Sequence, residues 1–265
     1  MNRWHPSPFI LASCALHALL VVLLVARPAW WPLLLGACVA NHLLLALAGL
    51  LPRTTLLGAN LVRLPAAAAA RGEVAITLDD GPDPAVTPRV LEILAAHGAR
   101  ATFFCIGERA AAHPELVRAI VAAGHDVENH GQRHRNHLAF SALAGWRREI
   151  LDAQATLETL TGRAPRFYRA LAGIRNPFLD PVLAQAGLRL ASWTRRGYDT
   201  RNTRADDVLA RLTRGLAAGD ILLLHDGHAA RDGHGEPVIL KVLPALLSAL
   251  AERRLHSVPL RTALS

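Results

Sequence analysis

Two adjacent carboxylates end an apolar, strand-forming run in the first third of the chain. Asp79 and Asp80 close the run VAITLDD (74–80), and Gly81-Pro82 follows them directly. Asp-Gly-Pro forms turns readily, so a simple capping role is one explanation of the pair. A buried carboxylate is costly unless it is paired or binds a cation, however, and the apolar run predicts burial. We therefore expect both carboxylates to approach one charged centre, with the Gly-Pro turn relaxing the alternation of side chains along the strand.

A pair of histidines supplies the nitrogen ligands of a metal site. His130 and His134 lie four residues apart in HGQRH (130–134), so one helical turn places both rings on one side. Two imidazoles and one carboxylate leave a position open for water on a tetrahedral metal, as catalytic zinc requires. The spacing alone is weak evidence in a chain with 13 histidines. Together with Asp79-Asp80 it indicates a catalytic metal centre.

The elements that must position these side chains alternate between strand-like and helical patterns from Glu73 onward. The predicted strands span 74–80, 101–107, 125–130, 166–170, 188–193, 220–226 and 256–260. The predicted helices lie near 87–97, 108–123, 141–160, 176–186, 205–217 and 238–254. Apolar strands that alternate with amphipathic helices indicate a parallel sheet covered by helices. The predicted fold class is α/β, a distorted (β/α) barrel of about seven strands.

Polar side chains recur at the points where the predicted strands end. They are Asp79-Asp80, His130, Arg169, Trp193 and His225-Asp226. In α/β barrels the carboxyl-terminal rim of the strands carries the active site. Five strands that end in this way indicate one shared site.

The first 52 residues have the pattern of a membrane hairpin. Phe9 to Ala26 and Leu33 to Leu51 are each about long enough to cross a bilayer, and Trp30-Trp31 lies between them where an aromatic belt would form. A signal peptide followed by a buried helix is the alternative. The second apolar stretch and the lack of an A-x-A-like cleavage site argue against it. The predicted division is a transmembrane hairpin over 1–52, a linker over 53–72 and a catalytic domain over 73–265.

Charge placement bears on the side of the membrane and on partners. The arginines around the hairpin are Arg3, Arg27, Arg53, Arg63 and Arg71. Their distribution slightly favours both hairpin ends, and hence the domain, in the cytoplasm of a bacterial-type cell. The net charge is +8, but no nucleic-acid motif or dense basic run is present, so we expect no nucleic-acid partner.

Three motifs together resemble those of the polysaccharide deacetylase family, the NodB-homology or carbohydrate esterase family 4 enzymes. They are TLDDGP (77–82), HGQRH (130–134) and LLLHD (222–226), and ATFFCIG (101–107) resembles the strand after the first motif. The similarity runs in the right order from roughly Glu73 to Leu260. It implies a hydrolase of carbon–nitrogen bonds, a sugar N- or O-deacetylase with a divalent metal, usually zinc. The implied partner is an acetylated glycan or a lipid-linked saccharide.

The resemblance also implies a role for each matching polar residue. Asp80, His130 and His134 would hold the metal, and Asp79 would be the general base for the attacking water. Arg169 would orient Asp79 and hold it ionised. These roles divide one carboxylate pair between binding the ion and moving a proton.

The late motif supplies the implied general acid. His225 would protonate the departing amine, and Asp199 would pair with His225 to raise the pKa of its ring. Asp226 competes for part of that role, because the segment around Asp199 follows the family pattern only loosely.

Departures from the family pattern fall on the substrate side of the site. Trp193 and Leu223 would enclose the acetyl methyl group, and the backbone N–H of Ala172 would stabilise the oxyanion. RALAG (169–173) stands where the family has R-P-P-Y-G, and Gly131 replaces the usual Ser or Thr. We expect weaker support of the oxyanion loop and different support of the metal loop.

Other classes of function and several loop residues stay open. One alternative is a catalytically silent sugar-binding or scaffolding membrane protein, and another is a metal-dependent amidase or esterase acting on a non-sugar. His228 and His234, in the glycine-rich segment 227–237, belong either to a lid near the site or to an ordinary loop. A set of arginines is expected either to ring the mouth for a phosphate-bearing substrate or to be solvated: Arg133, Arg135, Arg195, Arg196 and Arg201.

Overall fold

The computed structural model describes residues 4–135 and 138–265 and begins with two long apolar helices. They are α1 (Pro8–Ala26) and α2 (Trp31–Leu50), joined by a 3-10 turn at Pro28–Trp30. Ser7 caps α1 by accepting a hydrogen bond from the backbone N–H of Ile10 at 3.3 Å. By length and composition both helices are candidate membrane spans. Of the predicted hairpin over 1–52, residues 1–3 lie outside the described residues.

A parallel sheet forms the centre of the remaining chain and confirms the predicted α/β class. Its strands are β1 (Glu73–Asp79), β2 (Ala101–Cys105), β3 (Asp126–Asn129), β4 (Phe167–Tyr168), β5 (Arg189–Leu190), β6 (Arg195–Arg196), β7 (Ile221–His225) and β8 (His256–Ser257). The order across the sheet is β5-β4-β3-β2-β1-β7-β6, and β8 pairs with the start of β1. Within the described residues β5 and β6 are the two edges, so the barrel is open.

Helices cover the outer face of this half-barrel. They are α4 (Thr87–Ala96), α5 (Gly107–Ala112), α6 (Pro114–Ala122), α7 (Leu143–Thr161), α8 (Leu179–Ala186), α9 (Ala205–Thr213), α10 (Ile239–Glu252) and the short α11 (Leu260–Ala263). The helix expected within 108–123 is present as α6, and a second, shorter helix precedes it. Two helices occupy that range because Pro114 begins α6 and His113 leaves the helical conformation.

Two strand predictions needed correction at the edges of the sheet. The run 188–193 forms only the two residues of β5 before the chain crosses to the other edge, where Arg195–Arg196 forms β6. The run 256–260 forms only β8 and then turns into α11. A segment at a sheet edge has fewer backbone partners than a central strand. Its strand-like sequence can therefore be longer than the part that forms hydrogen-bonded pairs.

Residues 53–72 lie against both the helices and the sheet. Leu57 packs with Ile10 and Ala48 of the two long helices. Leu61 extends the β5 edge, donating its backbone N–H to Leu190 and accepting from Ser192, both at 2.9 Å. The short α3 (Ala66–Ala70) then follows and contacts β1.

Strand β1 lies at the middle of the sheet between β2 and β7 and leads directly to the carboxylate pair. Ile76 and Leu78 pack into the cluster under the outer helices, whereas Ala75 packs with Phe104 and Leu223 inside the half-barrel. This alternation is what a strand buried on both faces requires. The carboxyl ends of the parallel strands therefore meet at one rim.

Candidate active site

The two carboxylates reach the same rim because the strand ends between them. Asp79 is the last residue of β1 and continues the inward face that begins with Ala75 and Thr77. Asp80 has a backbone φ of 70°, in the left-handed region that few non-glycine residues adopt. That conformation removes Asp80 from the strand alternation, which would otherwise have sent its side chain to the outer face.

The expected ligand set converges around one carboxylate oxygen. Asp80 Oδ1 lies 3.2 Å from His130 Nε2 and 2.9 Å from His134 Nε2. Candidate ligand atoms of the three residues all lie within 4.8 Å of one another. Asp80 Oδ1 and His134 Nε2 are buried, yet neither has a hydrogen-bond partner among the residues that the structure describes. A carboxylate oxygen and an imidazole nitrogen that are buried side by side without hydrogen bonds can both be satisfied by binding one cation.

The second nitrogen of His130 fixes the orientation of the ring. His130 Nδ1 donates to the backbone carbonyl of Arg169 at 2.9 Å, which leaves Nε2 as the free ligand atom. Burial alone would raise the pKa of Asp80, but the neighbouring His130, His134 and His228 lower it well below its usual range. Asp80 is therefore an anion at neutral pH and a suitable metal ligand.

Arg169 is buried beside Asp79 and links strand β1 to residues 191–192. Its side chain is 1% exposed, and Nη1 donates to Asp79 Oδ1 and to Thr77 Oγ1, both at 2.7 Å. Nε and Nη2 donate to the carbonyls of Ala191 and Ser192, at 3.2 and 3.0 Å. These bonds join β1 to the segment that runs from one sheet edge to the other. One side chain therefore positions Asp79 and also holds that segment in place.

His225 and Asp199 form a buried, hydrogen-bonded pair. His225 Nδ1 donates to Asp199 Oδ1 at 2.8 Å, and its backbone N–H donates to Asp199 Oδ2 at 2.8 Å. Asp226 makes no such contact, because its Oδ2 accepts a hydrogen bond from Thr87 at 2.6 Å instead. Of the two candidates for the partner of His225, the geometry therefore favours Asp199.

The predicted residues line a cleft of about 360 Å³ at the carboxyl rim. Its walls include Trp193, Leu223 and Ala172, as expected for the substrate side. Ala172 has a φ of 52°, which costs an alanine roughly 1 kcal/mol, so the loop is held in an unfavourable backbone conformation. Arg169 and Asp199 lie behind these walls and act on Asp79 and His225 rather than on the cleft itself.

Glu149 supports the metal loop where the family pattern has a hydroxyl. Its Oε1 accepts the backbone N–H groups of Arg133 at 2.6 Å and His134 at 2.8 Å. A Cβ at Gly131 would lie 2.8 Å from the same oxygen. The glycine therefore makes room for a carboxylate that anchors the loop. Sequence reasoning missed Glu149 because it lies on α7, far from any motif.

The arginine set expected at the mouth divides into three groups. Arg196 and Arg201 line the cleft. Arg195 does not: its guanidinium binds the carboxylate of Asp220 and two backbone carbonyls, so that prediction is wrong. Arg133 and Arg135 line a separate, smaller cavity beside α7.

The two histidines of the glycine-rich segment 227–237 lie in different places. His228 lines the cleft, and its Nδ1 lies 3.4 Å from Asp80 Oδ2. His234 lies in an exposed turn, where its N–H donates to Asp232 at 2.8 Å. Neither the sequence motif nor the strand pattern distinguished one from the other.

Comparison with known proteins places the chain in a family. A family model described as polysaccharide deacetylase matches residues 66–191. A chitooligosaccharide deacetylase from Bradyrhizobium sp. (strain ANU 289) is 34% identical over 70% of this chain and 89% of its own length. A peptidoglycan-N-acetylglucosamine deacetylase from Bacillus cereus is 34% identical over 65% of this chain and 81% of its own length.

A solved structure agrees with the sequence comparison. The family 4 carbohydrate esterase from Streptomyces lividans, solved in complex with acetate, superposes with a TM-score of 0.64 and 32% identity, covering 72% of this chain and 95% of that one. The chain belongs to the polysaccharide deacetylase family.

Proposed function

We propose that the protein is a metal-dependent deacetylase that hydrolyses the N-acetyl group of an acetylated sugar. The observation that carries the proposal is the convergence, at one cleft, of the Asp80-His130-His134 set with Asp79 and His225. O-acetyl groups are the second candidate substrate for the same residues. A silent scaffold is disfavoured, because a buried ligand set with unpartnered donor atoms is costly to keep without a cation.

The resident cation is proposed to be zinc, held by Asp80, His130 and His134. When bound, it would polarise the acetyl carbonyl and promote ionisation of water. Two nitrogen ligands and one oxygen ligand leave coordination positions open, as in catalytic zinc sites.

Asp79 and His225 divide the proton transfers of the hydrolysis. Asp79, held by Arg169, would take a proton from the water as a C–O bond forms to the acetyl carbon. His225, held protonated by Asp199, would give a proton to the nitrogen as the C–N bond breaks. The products are acetate and a free amino sugar. Trp193 and Leu223 would exclude water around the methyl group, and the N–H of Ala172 would donate to the developing oxyanion.

We further propose that α1 and α2 anchor the protein in a membrane and hold the cleft at its surface. The carbonyl of Gly49, at the end of α2, accepts the backbone N–H of Arg175 at 3.0 Å. Ser192 Oγ donates to the Pro52 carbonyl at 2.7 Å, and Gly173 abuts Pro52 so closely that no side chain fits there. The wall of the cleft is thus bonded to the end of a candidate span.

The surroundings of the cleft favour a lipid-linked saccharide as the substrate. Arg196 and Arg201 line the cleft, and neither forms an ion pair within the described residues. Uncompensated guanidinium groups suit a phosphate or diphosphate linkage. Phe140 is 90% exposed and Phe178 is 49% exposed, and Asn176 ties their two loops together. We propose that these two aromatic side chains contact the lipid surface.

The test is acetate release by the full-length protein in detergent, with and without a chelator. The substrates are a chitooligosaccharide and an N-acetylglucosaminyl lipid diphosphate. We expect chelator-sensitive release that zinc restores, with faster turnover of the lipid substrate. Release from neither substrate would support the silent scaffold instead.

The lipid-linked proposal has a separate control. Arg196→Gln and Arg201→Gln should slow the lipid substrate far more than the neutral oligosaccharide, whereas Arg204→Gln, on an exposed side chain, should change neither. Equal effects on both substrates would overturn the lipid-linked proposal alone. A reporter fused to the C-terminus tests the proposed cytoplasmic side of the domain.

A further inference from the structure

Two side chains outside the family motifs meet at the backbone and the carboxylate of Asp80. Arg109 lies on α5, and its Nη1 donates to the Asp80 carbonyl at 2.7 Å. Its Nη2 lies 2.9 Å from His228 Nε2. His228, just after β7, in turn places Nδ1 at 3.4 Å from Asp80 Oδ2. The three residues therefore form a closed ring of contacts.

The arginine decides which nitrogen of His228 carries the proton. A guanidinium only donates hydrogen bonds, so His228 Nε2 accepts and Nδ1 carries the hydrogen of the neutral ring. The His228 Nδ1 then faces Asp80 Oδ2 across 3.4 Å, while Asp80 Oδ1 faces His130 and His134. Because Nε2 is occupied by Arg109, His228 is suited to hold the carboxylate rather than to replace it as a ligand.

The backbone around His228 is shaped for this contact. Gly227 lies so close to the Asp80 carbonyl that a Cβ would collide with it, and that Cβ would also meet Arg109 Nη1 at 2.6 Å. His228 itself has a φ of 57°, in the left-handed region. Its ring stacks near His134, with centroids 6.5 Å apart. Only glycine at 227 allows the two segments to approach in this way.

We propose that Arg109 and His228 are positioning residues for the metal ligand Asp80. Arg109 stabilises the left-handed backbone of Asp80 by binding its carbonyl, and His228 holds Oδ2 so that Oδ1 is presented to the cation. Loss of a partner that orients a metal ligand typically lowers metal affinity about 10- to 100-fold. The inference rests on the metal dependence proposed above.

The experiment measures metal affinity rather than turnover. Full-length protein stripped of metal is titrated with Co²⁺, whose visible absorption reports coordination, and with Zn²⁺ in competition with a chromophoric chelator. His228→Ala and Arg109→Ala should each weaken binding about 10- to 100-fold. His228→Asn keeps an N–H near the position of Nδ1 and should recover much of the affinity.

Two controls make the result specific. His234→Ala lies in the same glycine-rich segment and should bind like the wild type. Arg109→Ala/His228→Ala should weaken binding by less than the product of the two single effects, because Arg109 also holds the ring of His228. Thermal unfolding of the metal-free proteins checks that each variant folds. If Arg109→Ala does not fold, His228→Ala still tests the proposal, because the His228 side chain is exposed.

The outcomes separate this inference from the proposed function. Metal affinity and Co²⁺ spectra unchanged by His228→Ala would overturn the positioning role while leaving a metal enzyme. A wild-type protein that binds neither Co²⁺ nor Zn²⁺ would overturn the proposed function, and the inference with it.

Discussion

Asp199 holds His225 by two hydrogen bonds at once, one from the ring Nδ1 and one from the backbone N–H, both at 2.8 Å. Burial alone would lower the pKa of His225, but the charge and the hydrogen bond of Asp199 raise it. The carboxylate is fully buried, so the pair is shielded from salt. A histidine held in this way stays protonated at higher pH and suits a general acid.

Asp199→Asn should shift the alkaline side of the activity profile to lower pH. The raised pKa of His225 means that the acid form is present below it and lost as the pH rises through it. Removing the carboxylate lowers that pKa, so activity should fall at a lower pH and kcat should drop on the order of 10²-fold near pH 8. A pH series of kcat checks this. An unchanged alkaline limb in Asp199→Asn, with Asp226→Asn shifting it instead, would reverse the assignment.

Asp79→Asn and Asp80→Ala should fail in different ways. Asp79→Asn keeps the ligand set and should bind zinc normally while kcat falls by about 10²- to 10⁴-fold, because the base is lost. Asp80→Ala removes the oxygen shared by both histidines and should lose zinc as well as activity. Metal content after dialysis and acetate release measure the two effects. Near-normal turnover by Asp79→Asn would show that another group is the base.

Glu149→Ala should loosen the metal loop without touching a ligand. The variant removes the acceptor of two partly buried backbone N–H groups, at Arg133 and His134, and leaves both without that partner. We expect zinc affinity to weaken by about 10-fold or more. Chelator competition measures it. Glu149→Gln retains an oxygen acceptor and should stay close to wild type, and Glu158→Ala, exposed on the same helix, is the matched control. Loss of affinity in both Glu149 variants would mean that charge, rather than the hydrogen bonds, is what the loop needs.

His125 should make the fold sensitive to mild acid far from the cleft. Burial lowers the pKa of His125 from 6.5 to about 4, and its Nδ1 accepts the backbone N–H of Ala101 at 3.2 Å. Above pH 6.5 the ring is neutral in both states; between 6.5 and about 4 the unfolded chain binds the proton first, so the free energy of unfolding falls.

The measurement is the unfolding temperature of wild type and His125→Asn at about pH 7 and about pH 5. Between about pH 7 and about pH 5, the unfolding temperature of the wild type should fall by roughly 3 °C more than that of the variant. His97, exposed on its helix, provides the control variant His97→Asn. Equal losses in wild type and His125→Asn would exclude this histidine as the source.

The chemistry of the site was predictable because its residues lie in short, contiguous motifs. Asp79 and His225 are the last residues of buried strands, Asp80 and His130 each follow a strand directly, and His134 lies in the loop after β3. Parallel strands bring their carboxyl ends to one rim whatever the details of packing. The two apolar helices and the α/β order followed from composition and period alone. Seven of the eight strands were predictable in this way, whereas β6 (Arg195–Arg196) and the strand lengths at the sheet edges depended on pairing.

The sequence by itself determined which residue types meet at the rim of the half-barrel. Only the tertiary structure decided that Arg195 turns to Asp220 while Arg196 lines the cleft, and that Asp199 rather than Asp226 holds His225. It also decided that Glu149 binds the backbone of the loop with His134, and that Arg109 and His228 contact Asp80. These contacts join side chains that are distant in sequence, and each depends on a rotamer or a left-handed backbone angle. Local pattern carries no signal for such choices, because they are made by packing between elements.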